Sequence, residues 1–84
     1  MNDIITINLN IFERQFLVFL SERGGRADMK SNILSNHVLD ALDALQKKGA
    51  ISKTRLIGNE ETYQYNLTSI GTNLVDLIKE NPNA

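Results

Sequence analysis

At 84 residues the chain is expected to form one domain (1–84) with a thin core, and its 42% hydrophobic share is ordinary for a folded protein. The absence of cysteine excludes disulfides and thiolate metal sites, and with a single histidine no structural zinc finger is expected. No apolar run is long enough for a bilayer and no cleavable leader is recognisable, so a cytoplasmic protein with no membrane partner is expected.

The net charge of −1 is unevenly distributed. Residues 23–55 carry +4, through Arg23, Arg26, Lys30, Lys47, Lys48, Lys53 and Arg55 against Asp28, Asp40 and Asp43. The segments on either side are acidic, at −2 for residues 1–22 and −3 for residues 56–84. A basic middle between acidic ends favours a polyanion contact there more than the sum suggests. There is no Gly-rich phosphate loop and no metal-ligand cluster, and the carboxylates are scattered. Neither an enzyme nor a cofactor is therefore expected.

In chain order, residues 1–9 contain a β-branched stretch that reads as a short strand or an ordered arm. Asn10 followed by Glu13 has the form of a capping box at a helix start. Residues 11–23 then place Phe12, Phe16, Phe19 and Leu20 along one helical face, broadened by Leu17 and Val18. This helix is expected to be the main source of core area. Gly24-Gly25 ends it, and Arg26-Ala27 can form a brief strand. Asp28 or Ser31 is expected to cap a short second helix through Leu34, with Met29, Ile33 and Leu34 inward. Ser35-Asn36 follows as turn and cap.

The central helix, residues 36–48, sets Val38, Leu42 and Leu45 at helical spacing. Lys47 and Lys48 lie in its last turn, where cations suit the negative helix end, and Gly49 supplies a left-handed stop. Asn36, Asp40, Asp43, Ala44 and Lys47 fall opposite the apolar stripe, with His37 at the margin. Residues 51–67 read as a hairpin, turning either at Gly58-Asn59 or over the four residues 58–61. Both registers put Leu56, Tyr63 and Tyr65 on one face and Lys53, Arg55, Gln64 and Asn66 on the other. Thr68 or Ser69 caps a last helix with Ile70, Leu74, Leu77 and Ile78 inward. It ends near Glu80, and residues 81–84 form a tail.

Two pieces resemble bacterial and archaeal winged helix-turn-helix regulators of the MarR/PadR-like group. LDALQKKGAI is similar to the family's helix end of Leu, two basic residues, Gly and an aliphatic residue. YQYNLTSIGTNLVDLI is similar to its strand-to-helix pattern of aromatic, Leu-Thr, Gly and an aliphatic helix. The likeness covers about residues 10–80. It implies a mainly α, α+β winged helix with a three-helix core, a β-hairpin wing and a C-terminal helix. The helix-turn-helix would span about residues 29–48.

The resemblance also implies a sequence-specific binder of double-stranded DNA, a small transcription regulator acting as a homodimer on a two-fold operator. Helix 36–48 would enter the major groove and wing 51–67 would touch the backbone. The outward helix positions hold Asn36, His37 and Asp40, where a basic residue is common in the family. Asn pairs with adenine, and Asp accepts from the cytosine amine. Lys53 and Arg55 read either as phosphate contacts or as a solvated strand face. Lys47 and Lys48 are first of all helix-end charges. Lys30, Ser31 and Asn32 begin the second helix, where amides can hold a phosphate. His37 reads as a surface residue rather than a ligand or base. The alternative is a winged-helix adaptor that binds another protein, to which Asp40, Asp43, Glu60 and Glu61 would be suited.

Overall fold

The computed structural model describes residues 9–56, 58 and 62–80. The arm or strand expected at the N-terminus, the hairpin tip at 59–61 and the tail at 81–84 lie outside the described residues. Three α-helices, α1 (Ile11–Glu22), α2 (Asn36–Lys47) and α3 (Ser69–Glu80), pack with an antiparallel sheet of β1 (Arg26–Lys30), β2 (Ile51–Arg55) and β3 (Thr62–Leu67). The strand order is β1-β3-β2, so β3 is central and β2 is an edge beside α2. No described helix is long and apolar enough to cross a membrane.

The first helix starts where its sequence says. Asn10 Oδ1 accepts from the Glu13 amide at 2.8 Å, and Glu13 Oε1 accepts from the Asn10 amide at 3.3 Å. The reciprocal pair satisfies two amides that a helix start otherwise leaves open. The buried face, however, is turned from the expected one. It is built on Phe16, Leu17 and Leu20, while Phe19 is half-buried and Phe12 remains 40% exposed. The cause is Glu13, which is only 5% exposed and accepts Lys48 Nζ at 2.8 Å. Placing that carboxylate against the end of α2 rotates Phe12 to the helix margin, where its ring stacks on His37 with centroids 5.2 Å apart.

Lys48 is therefore more than a charge near a helix dipole. It compensates a buried carboxylate 35 residues away in sequence. Replacing it with methionine leaves that oxygen without its cation and is expected to cost about 2 kcal/mol, the scale of a hydrogen bond to a charged group. Urea unfolding of Lys48→Met against the parent measures this, and a change below about 0.5 kcal/mol, typical of surface sites, would refute it.

The helix expected from Asp28 or Ser31 to Leu34 is replaced by strand and a single 3-10 turn, Ser31–Ile33. The sequence RADMK alternates polar and apolar residues, and the strand buries Ala27 and Met29 partly while exposing Arg26, Asp28 and Lys30. Pairing along β3, from Arg26 opposite Asn66 to Lys30 opposite Thr62, satisfies its backbone and outweighs the local capping signals.

At the end of α2, Gly49 takes φ +77°, the left-handed conformation expected of it. The amides of Gly49 and Ala50 bond back to the carbonyls of Gln46 and Leu45 at 3.0 and 2.9 Å, the Schellman pattern. Thr68 then ties this corner to α3. Its hydroxyl donates to the Gly49 carbonyl at 2.5 Å and accepts from the Gly71 amide at 3.1 Å. Its own amide donates to the Ala50 carbonyl at 3.1 Å. The KKGAI and LTSIG stretches are thus in direct contact.

The core gathers Phe16, Leu17 and Leu20 with Leu42, Leu45, Ile51, Tyr65 and Val75. Tyr65 is 1% exposed and meets Phe16 edge-on at a centroid distance of 5.9 Å. Burial, and secondarily the charge of neighbouring Tyr63, push its phenol above the ordinary value of 10.0. A folded-state pKa raised in this way leaves the phenol's contribution intact below about pH 10 and removes it as pH climbs through the folded value. Thermal stability is expected to fall above pH 10, and Tyr65→Phe to make that fall shallower. Equal slopes for the two proteins would contradict the assignment.

Candidate nucleic-acid interface

The exposed side of α2 is set by its core side. Ala41, Leu42 and Leu45 face inward, which leaves Asn36, His37, Asp40, Asp43 and Lys47 exposed. Ser35 caps the helix, its Oγ accepting the Val38 amide at 3.3 Å. Asn36 and Asp40 therefore project from a fixed first turn and the turn after it. His37 is less free than its exposure suggests, because its ring lies parallel to Phe12 at an interplanar angle of 5°. Lys47 pairs with Asp43 at 3.0 Å, an i,i+4 pair open to water. Among the described residues this leaves Asp40 as the unbalanced charge of the helix face.

The hairpin face differs from both registers read in the sequence. Arg55 stands opposite Tyr63, Lys53 opposite Tyr65 and Ile51 opposite Leu67. The pairing lies one residue from each expected register, and a one-residue slip exchanges faces. Lys53 and Arg55 consequently share a face with Tyr63 and Tyr65, not with Gln64 and Asn66. The physical reason is Ile51, 3% exposed, whose burial fixes which way residues 51, 53 and 55 point. Leu56 donates its amide to the Thr62 carbonyl at 3.0 Å, which carries the same register one residue past β2.

This register gives Lys53 a platform. Its Nζ lies 4.1 Å from the centroid of the Tyr63 ring, within cation–π range. The sequence places Tyr63 on the face opposite Lys53, whereas continuing the alternation outward from Ile51 puts the two on one side. Beyond the buried end of the hairpin, two cations two residues apart thus occupy one face of an edge strand.

The opposite sheet face is polar. Gln64 Nε2 donates to Asp28 Oδ1 at 3.3 Å, and Asn66 Nδ2 donates to Gln64 Oε1 at 3.3 Å. Lys30 belongs to this side, because it stands outward at the end of β1. The phosphate cradle expected at Lys30, Ser31 and Asn32 is not formed, since Ser31–Ile33 is one 3-10 turn and offers no α-helix start. The structure therefore separates the expected site residues. Asn36, His37 and Asp40 lie on the first half of α2, Lys53 and Arg55 on the β2 face directed toward the helical layer, and Lys30 across the sheet. No group of three or more His, Cys, Asp or Glu among the described residues could hold a metal. The chain matches no protein-family model, no curated protein and no solved structure.

Proposed function

We propose that the chain is a winged-helix DNA-binding protein, with α2 as the groove-entering helix and the β2–β3 hairpin as its wing. The observation that carries this reading is the hairpin register, which turns Lys53 and Arg55, already paired on one face by strand alternation, to the Tyr63 and Tyr65 side of the sheet on the strand beside α2. Two cations so placed suit phosphate contacts that orient the helix. Asn36 then has the bidentate group that matches adenine, and Asp40 the acceptor that matches the cytosine amine. A small transcription regulator acting as a homodimer on a two-fold site is the form this function would take.

One observation favours the other reading, a winged-helix adaptor for a protein partner. Asp40 is exposed and unbalanced, and Asp43 cancels Lys47, so the helix offers little attraction for phosphate. Fluorescence anisotropy of a mixed-sequence duplex across a salt series separates the two. DNA binding predicts an affinity that falls steeply with salt, with a log–log slope near −0.9 for each phosphate neutralised. An absence of binding at low salt would overturn the DNA reading and favour the adaptor.

A further inference from the structure

The margin of α1 beside α3 carries apolar residues that the core covers only in part. Ile11 is 62% exposed, and Val18 and Phe19 are half-buried. With Ile78 of α3 they line a groove of about 400 Å³. Arg14 and Glu22 also line it, and neither side chain joins an ion pair among the described residues. Arg14 and Glu22 lie four residues before and four after Val18. At the helical rise of about 1.5 Å per residue, the two charges stand about 6 Å to either side of Val18.

We propose that this face is a self-association surface, on which a second copy of the chain packs its α1 antiparallel about a two-fold axis beside Val18. The charge order selects this occupant and this direction. A two-fold axis at Val18 brings Arg14 of one protomer onto Glu22 of the partner subunit, and the symmetry forms that pair twice. Val18 meets its own copy on the axis, and Ile11 reaches toward the partner's Ile78. A parallel arrangement would set Arg14 on Arg14 and Glu22 on Glu22, which repel. A foreign helix would need the same cationic–apolar–anionic order in reverse, and the chain already carries it. The surface supplies the dimer that a two-fold DNA site asks for, yet it rests on no DNA contact, so either idea can fail alone.

Sedimentation velocity over a concentration series tests it, on the parent, Arg14→Glu, Glu22→Arg and the double exchange Arg14→Glu/Glu22→Arg. Each single reversal turns both symmetric pairs repulsive and is expected to weaken dimerisation about 10-fold or more, the sum of several exposed-pair increments. The double exchange restores opposite charges and is expected to recover dimerisation to near the parent's. Circular dichroism confirms that the variants fold, since both side chains lie outside the buried face. A parent that stays monomeric at every concentration would overturn the proposal. So would a dimer indifferent to the single reversals, or one that the double exchange fails to rescue.

Discussion

Gly71→Ala is expected to lower the melting temperature by roughly 12–24 °C, from a net loss of about 3 kcal/mol spread over a domain of this size. Helix propensity alone predicts the opposite sign, because alanine in a helix interior gains about 1 kcal/mol over glycine. Sterics decide. A Cβ at Gly71 would collide with the carbonyl oxygen of Ala50 and stand 3.0 Å from Leu67 Cδ2. The first of these is backbone, held by the bond from the Thr68 amide and by the turn after α2. It cannot swing aside as a side-chain tip can. We take the steric cost as about 4 kcal/mol, at the severe end for overpacking. Ser69→Ala, at an exposed position two residues earlier, should change stability by less than about 0.5 kcal/mol. Thermal unfolding by circular dichroism compares them, and a Gly71→Ala protein as stable as its parent would mean that α3 does not approach Ala50 this closely.

The second large effect concerns binding. Lys53→Glu/Arg55→Glu is expected to weaken duplex binding about 100-fold at low salt. Two lost charge-assisted hydrogen bonds at about 1.5 kcal/mol each give about 3 kcal/mol, and 1.4 kcal/mol is tenfold. The salt slope should fall by about 2 in magnitude, since two phosphates are no longer neutralised. Both side chains are exposed, and the stack of Lys53 on Tyr63 contributes about 0.5–1 kcal/mol at such a site. The variant should therefore remain folded. Lys30→Glu is the contrasting change, because Lys30 faces the other side of the sheet. Equal losses from both sides would mean that DNA does not distinguish the two faces of the sheet.

The parts of this fold that are local in sequence are legible there. The Asn10–Glu13 box, the Gly49 stop, the Ser35 cap and the Thr68 cap each depend on residues within one turn of each other. Their chemistry can be read without knowing what packs nearby. Pairing across the chain is what misleads. Asp28 and Ser31 carry good capping chemistry, but β3 lies over 30 residues downstream and claims Arg26–Lys30 as a strand. The alternation in RADMK was present all along and was the better signal. The hairpin shows the same conflict. Turn rules centred on Gly58 gave registers that place Lys53 and Arg55 away from the tyrosines, whereas burial of Ile51 at the other end of the strand decides the matter. Glu13 is a third case, since its partner Lys48 is brought to it only by the packing of α1 on α2. The candidate site inherits these corrections, keeping Asn36, His37 and Asp40 on α2 and Lys53 and Arg55 on the strand beside it, and losing the cradle at Lys30.

The most direct test of the DNA-binding account is amide chemical-shift perturbation of the labelled protein as a duplex is added at low salt. The account predicts changes concentrated at Asn36, His37 and Asp40 of α2 and at Lys53 and Arg55 of β2, with Arg26 and Lys30 nearly still. Perturbations confined to the outer sheet face, or none at all beyond those of added salt, would contradict it.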